Sequence, residues 1–402
     1  MMVKIILLLN PVYVTLFWTI VLTSQNRKQH VPKRFLGRFM FVAFALYLSH
    51  LLYFTGHYSI YYYLDSIYTL ASLLVYPLYH IYVRLLTTDN WFSMRVHGKY
   101  LVLPLLVFTL HLTGYLIMDK EQALHYLTTV LPGNANGTGI TWYMQQVYLL
   151  FRIVFILQVF FYLYLNYRLI SIHNNRLEDF YSNLEDRNLD WVQFFNFSLA
   201  ATSLASAAVA ILGRDMFANN DLYLAFPSII FSVLLFLIGM LGNLQGEVKT
   251  EEPGIQDIIV SVDLTSDQPP LQSVSEGNES LSGKNTQTSA ENSYLDNLRE
   301  KMDELFTEKM IFRNPDLKIW DVCNMLGTNR TYVSKIINNH YDMNFCNHVN
   351  FHRVDYAKKL LDRNNRLTNE EVAELSGFGS TNSLYRAFHT FENRSLGDYR
   401  RS

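Results

Sequence analysis

Along roughly the first 245 residues, apolar positions run in unbroken blocks without a polar face; late in the chain they recur at three- and four-residue steps. The two halves therefore obey different rules. A helix needs about twenty apolar residues to cross a hydrocarbon core of about 30 Å. Seven runs meet that length: Ile5 to Thr23, Phe35 to Phe54, Ile60 to Val83, Tyr100 to Met118, Tyr143 to Tyr167, Phe194 to Leu212 and Leu222 to Leu241. Pro11, Pro77, Pro104 and Pro227 lie inside them and are expected to mark kinks, which neighbouring helices tolerate in lipid.

Short loops rich in Lys and Arg stay on the cytoplasmic side of a membrane. The first loop holds Arg27, Lys28, Lys33 and Arg34, whereas the second, Thr55 to Ser59, holds neither residue type. Arg84, Arg95 and Lys99 place the third loop inside, and Arg168 and Arg176 favour the same side for the fifth. Alternation gives an outside N-terminus and a cytoplasmic C-terminus. A cleaved signal peptide is the competing reading of the first run, because Lys4 precedes it. Cleavage would send the cluster Arg27 to Arg34 outward, and Leu22-Thr23-Ser24-Gln25 lacks a small-x-small pattern.

From Glu247 to Glu291 aromatic residues vanish and Ser, Thr, Asn, Gln, Gly and acidic residues take over. Such a segment cannot bury enough apolar surface to offset chain entropy, so 247–291 is expected to be a disordered acidic linker. A coil of about 45 residues spans roughly 35–40 Å, enough to clear lipid headgroups. After it, Leu295, Leu298, Met302, Leu305 and Phe306 form the stripe of an amphipathic helix. Two heptads are too few to specify a dimer seam, and packing on its own domain is the simpler expectation.

Two segments then repeat one pattern. In the first, Ile319, Val322 and Leu326 make an apolar face, Gly327 permits a tight turn, and Thr328 is positioned to cap the next helix. Val333, Ile336 and Ile337 face inward there, leaving Asn329, Arg330, Thr331, Ser334, Lys335 and Asn338 outside. In the second, Thr368 with Glu371 reads as a capping box, Gly377 makes the turn, and Ser380 or Thr381 caps a helix exposing Asn382, Ser383 and Arg386. Arg can bridge guanine O6 and N7, and Asn can bridge adenine N6 and N7, so both outer faces carry residue types that read a major groove. Phe345 to Arg363 forms a longer helix between the two, a rigid connector that would fix their separation. A helical protein-interaction domain is the bland alternative.

These residues resemble the AraC-type transcription regulators, in particular their membrane-anchored bacterial members. The resemblance covers about Leu295 to Arg400. It is most specific in Ala373, Gly377-Phe378, Ser380, Arg386, Phe388, Tyr399 and Arg400. It implies two exposed helices entering successive major-groove segments of duplex DNA. Contact roles would fall on Asn329, Arg330, Thr331, Ser334 and Lys335, and on Thr381, Asn382, Ser383 and Arg386. Departures are His389 for the usual Lys, Asn393 and Asp342 for usual Gly residues, and Leu396 for the common Pro. Asn and Asp tolerate the left-handed conformation, so the turns are expected to survive. The domain is nearly charge-balanced, which implies modest DNA affinity and a need for dimers or paired sites.

Among the apolar runs, Asp65 and Arg152 are ionisable groups that are costly in lipid and so expected to face the bundle interior. With His50 and His111 they are candidates for an outward-facing polar pocket in which Arg152 attracts an anionic ligand; a structural ion pair and histidines bonded to backbone are the alternative. His50, His57, His111 and His125 are too irregularly spaced to make a metal site the preferred reading. Nucleotide-binding glycine loops, kinase signatures and serine-nucleophile elbows are absent, so no catalytic residue, enzyme activity or cofactor is expected.

Composition agrees with a chain of two natures. Of 402 residues, 50% are hydrophobic and 17% charged, with 27 Tyr, 27 Phe and a formal charge of -2. Mean hydropathy is +0.06, an average over unlike halves. Two cysteines, Cys323 and Cys346, exclude a disulfide framework. The expected protein is all-α: a seven-helix transmembrane sensor over 1–246, a disordered linker over 247–291, and a double helix-turn-helix DNA-binding domain over 292–402. It would sit in the bacterial inner membrane as a sequence-specific transcription regulator coupling a signal to gene expression. Its partners would be promoter DNA, membrane lipid, RNA polymerase, a second copy of the chain and an unidentified small-molecule or protein signal. A seven-helix receptor or transporter whose cytoplasmic helical domain binds protein is the alternative.

Overall fold

The computed structural model describes residues 2–24, 31–88, 91–184, 189, 191–199, 221–244 and 284–401. All regular elements among them are helices; the sole strand-like feature described is an isolated antiparallel bridge between Tyr181 and Lys318. The chain divides into two compact units, Met1–Ser171 with Leu189–Glu251, and Ile172–Asn188 with Glu252–Ser402.

In the first unit, α1 (Met2–Thr23), α2 (Val31–Phe54), α3 (Tyr58–Thr87), α4 (Val102–Ile117), α5 (Ile140–Phe180) and α6 (Asp221–Leu244) follow the apolar runs. The last turns of α5, from Ile172, belong to the second unit. Among the described residues, five stretches can cross a membrane by length and composition: Ile5–Thr23, Val31–Phe54, Tyr58–Thr87, Met94–Ile117 and Ile140–Phe180. Ser228–Leu244 is a shorter apolar stretch in α6. The expected sixth run, Phe194 to Leu212, is helical over residues 191–199 and otherwise lies outside the described residues. Most of the expected linker lies outside them too, and its end differs from expectation: the helix of the second unit begins at Lys284.

Two kinds of surface explain this packing. α3 is the most internal of the five stretches, with 72% of its apolar window buried, whereas that of α1 is 33% buried. Tyr13, Phe17, Ile20, Phe41, Leu116 and Leu157 lie exposed, a surplus of outward apolar area that suits lipid better than water. Inside, Trp18, Leu22, Leu36, Tyr79, Tyr82 and Ile238 share one core. Gly239 lets α6 approach α1: a β-carbon there would sit 2.3 Å from the Trp18 ring.

In the second unit, α7 (Lys284–Thr307) buries Leu298, Met302, Leu305 and Phe306. The predicted stripe thus packs on its own unit. Then come α8 (Ile319–Leu326), α9 (Arg330–Tyr341), α10 (Phe345–Arg363), α11 (Asn369–Ser376), α12 (Thr381–Glu392) and α13 (Leu396–Arg401). α10 belongs to two cores. Its first turns give Phe345 and Val349 to a core with Met302, Ile319, Val333 and Ile337. Its later turns give Val354, Ala357 and Leu361 to another with Val372, Leu384 and Phe388.

Candidate nucleic-acid interface

Each helix pair is joined by a left-handed glycine. Gly327 has φ 63° and closes α8, with the Thr328 amide donating back to the Cys323 carbonyl at 3.0 Å. Gly377 has φ 84° and closes α11, with the Phe378 amide donating to Ala373 at 2.9 Å. The cap of α9 differs from expectation. Asn329 does this work, its side chain accepting the Tyr332 amide at 3.3 Å, while the Thr328 hydroxyl lies 3.2 Å from the Tyr294 hydroxyl. Asn is as good a cap as Thr and stands one residue nearer the first helical turn.

The second pair follows its expected chemistry. Thr368 accepts the Glu371 amide at 3.1 Å and its own amide donates to the Glu371 carboxylate at 2.7 Å. That donation holds the Glu371 carboxyl below its ordinary pKa. Ser380, not Thr381, is the cap of α12: it accepts the Ser383 amide at 3.2 Å, and the Ser383 hydroxyl donates to the Ser380 carbonyl at 2.8 Å. Asp342 and Asn393, where the resemblance leads one to expect Gly, adopt φ 53° and 51° and end α9 and α12. Both turns survive as their side chains allow.

The candidate contact residues therefore divide. Asn329, Thr331, Asn382 and Arg386 are exposed, whereas Arg330, Ser334, Lys335, Thr381 and Ser383 are half-buried. Asn329 and Ser383 serve as helix caps. Arg330 lies over the Phe180 ring with its guanidinium carbon 3.7 Å from the centroid. Tyr399 and Arg400, read as part of a family fingerprint, act as braces. Tyr399 donates to Asp362 at 2.9 Å, and Arg400 donates to the carbonyls of Asn365 and Leu367 at 2.9 and 2.7 Å.

One residue escaped functional notice in the sequence. Arg353 sits on the inward register of α10 and is 1% exposed. Its Nε donates to the Phe312 carbonyl at 2.8 Å, and its Nη2 donates to the Asn314 carbonyl at 2.8 Å and the Ser182 hydroxyl at 3.1 Å. Burial lowers its pKa to about 10, so it stays charged at neutral pH. An Arg in an otherwise apolar stripe was the available signal.

In the first unit, the structure pairs Asp65 with His111. The Asp65 carboxylate accepts the Tyr61 and Tyr115 hydroxyls, each at 2.6 Å, and lies 3.6 Å from His111 Nε2. The other ring nitrogen of His111 is 3.1 Å from the Ser66 hydroxyl. The described contacts of the other two candidates are with aromatic rings: Arg152 lies 5.8 Å over Tyr148, and His50 packs 5.2 Å from Tyr68. A surface depression of about 420 Å³ is lined by Glu121, Gln122, His125 and Thr138 to Thr141, and includes none of the four.

Residues 322–402 match the model of a family described as a helix-turn-helix domain. No curated protein and no solved structure matches the chain. The family match supports an AraC-type regulator, and it covers the capped α9 and α12 whose geometry is given above. The C-terminal unit thus carries the DNA-binding helix-turn-helix domain of a transcription regulator.

Proposed function

We propose that this protein is a membrane-bound, sequence-specific regulator in which both helix pairs read duplex DNA and the apolar unit receives the signal. The observation that carries the reading is the coexistence, in one chain, of five helical stretches among the described residues able to cross a membrane and a helix-turn-helix match over 322–402. The connector α10 has 19 residues, hence a length of about 28 Å, close to the roughly 34–36 Å between successive turns of a duplex groove. Helices held at its two ends suit neighbouring major-groove segments on one DNA face.

In this reading Arg330, Thr331, Ser334 and Lys335 on α9, and Thr381, Asn382 and Arg386 on α12, contact bases or phosphates. Asn329 and Ser383 chiefly hold the N-termini of those helices. Seven crossings with the N-terminus outside bring the DNA-binding unit to the cytoplasm of a bacterial cell, where promoter DNA and RNA polymerase are. The buried Asp65–His111 pair is the polar centre through which the apolar unit responds, and His50 and Arg152 also act in the signal's path. Replacing Arg152 with Gln in a properly inserted protein tests that role: an unchanged response removes Arg152 from it.

The deciding experiment presents a random-sequence duplex pool to the full chain in lipid nanodiscs over a salt series. Enrichment of a defined sequence, with affinity falling steeply as salt rises, is the expected result. Failure to enrich any duplex would falsify the reading and favour a receptor whose helical domain binds protein.

A further inference from the structure

The segment Leu177 to Leu184 is built into the DNA-binding unit, although more than sixty residues separate it in sequence from that unit's main body, Glu252–Ser402. Leu177, Phe180 and Tyr181 are buried in one core with Leu298, Met302, Ile319, Val322 and Val333. Backbone contacts pin it: the Ser182 amide donates to the Leu317 carbonyl at 3.2 Å, and Tyr181 forms an antiparallel bridge with Lys318. Polar side chains complete the seat. Arg353 donates to the Ser182 carbonyl at 3.2 Å, and Asn344 donates to the Glu178 carboxylate at 2.8 Å.

Where this segment crosses the start of α9, it covers a residue that DNA would need. Arg330 lies flat on Phe180 at 3.7 Å, its Nε is buried, and the Asp179 carboxylate is close enough to interact with it electrostatically. A guanidinium face held on an aromatic ring beside a carboxylate is already engaged as a cation. It cannot also present that charge freely to a phosphate or a guanine edge.

We propose that Leu177–Leu184 is an intrachain latch that competes with duplex DNA for Arg330 and the N-terminal end of α9. The inference rests on the DNA-reading assignment above. The segment continues directly from α5 (Ile140–Phe180), one of the stretches able to cross a membrane, so a displacement of that helix is delivered along its own backbone to the latch. Signal and DNA affinity are then coupled through one element with two states, latched and released. The later turns of α5 also carry Arg168 and Arg176, the cations that favour the cytoplasmic side for this end of the helix.

Two measurements on the full chain in lipid nanodiscs test this, using a duplex enriched by the wild type from a random-sequence pool. The first compares wild type with Phe180→Leu, which keeps an apolar side chain in the core but removes the ring beneath Arg330. Losing a cation–ring contact should tighten duplex binding about 3- to 30-fold. The second needs no variant: amide hydrogen exchange of the wild type is followed over residues 177–184 with and without saturating duplex. Faster exchange at Ser182 on DNA binding is expected. Unchanged affinity in Phe180→Leu together with full protection of Ser182 in the DNA complex overturns the latch and leaves the segment a fixed part of the domain. If Phe180→Leu does not fold, exchange in the wild type decides. Absence of duplex binding by wild type and variant alike overturns the DNA-reading assignment, and the latch with it.

Discussion

Arg353 donates from Nε to the carbonyl oxygen of Phe312 at 2.8 Å, which ties the connector α10 to the turn Ile311–Arg313 ahead of α8. Its other donors serve Asn314 and Ser182. Arg353→Met removes those donors and strands buried carbonyls, so the second unit should lose about 2–4 kcal/mol of stability. Arg353→Lys keeps the charge but not the planar fork and should recover only part of it. The urea midpoint can be followed by thiol labelling, because Cys323 and Cys346 are both buried in this unit. Burial pushes their thiols up to about 11 and about 12, so they should react with a pyridyl disulfide chiefly on unfolding. An unmoved midpoint in Arg353→Met would show that water replaces the guanidinium at no cost.

Acid should weaken the same unit before its carboxylates titrate. His348 is 2% exposed, and burial, then its neighbour His352, lowers its pKa to about 3. Burial lowers His352 as well, against the opposing pull of Asp355 and Asp303. The rings of Phe306 and Tyr341 face His348. Both imidazoles stay neutral in the folded unit while an unfolded chain takes up protons below about pH 6.5. The sign follows: the unfolded state binds more protons, so stability falls as pH drops below about 6.5, and for His348 continues to fall down to about 3. Between pH 6.5 and 5 the urea midpoint should decline, and His348→Gln should flatten that slope. A midpoint independent of pH in this window would contradict the assignment.

The two turn glycines should differ in what they tolerate. Gly327 has φ 63° with open space around the position of a β-carbon, whereas one at Gly377, with φ 84°, would lie 2.5 Å from the Phe312 carbonyl oxygen and the Arg313 Cα. Gly327→Ala should therefore cost only the left-handed penalty of about 1–2 kcal/mol. Gly377→Ala should cost clearly more, since backbone has to move. Equal losses in thiol-labelling melts would mean that the turn beside Gly377 gives way easily.

Cap and contact residues can be separated by chemistry. Asn329→Ser keeps an oxygen to accept the Tyr332 amide and should preserve both stability and duplex affinity, whereas Asn329→Ala should destabilise by about 1 kcal/mol. Arg386 is exposed on α12 and its removal should instead weaken duplex binding by about 1–3 kcal/mol at unchanged stability. Nanodisc binding assays alongside melts check both, and a loss of base discrimination in Asn329→Ser would return Asn329 to the contact set.

Much of this architecture was legible in the pattern of residues because its causes are local. Apolar runs, the stripe Leu298, Met302, Leu305 and Phe306, and the box of Thr368 with Glu371 each act within a few residues. The choice of Asn329 over Thr328 as cap was not, since both can accept an amide and tertiary contact with Tyr294 decides. Nor was the pairing of Asp65 with Tyr115 and His111: both come from α4, whose rotation against α3 periodicity does not fix, while Arg152, the expected cation, has described contact with Tyr148. The docking of Leu177, Phe180 and Tyr181 joins segments far apart in sequence, and no short motif announces such a pairing.

That docking bears on how the DNA-binding part should be handled at the bench. A soluble fragment excised from Tyr294 onward would leave the side of Leu298, Met302, Ile319 and Val333 that Phe180 and Tyr181 share without its cover. Such a piece should self-associate in solution, and a synthetic peptide spanning Ile172 to Leu184, added in trans, should restore a monodisperse species.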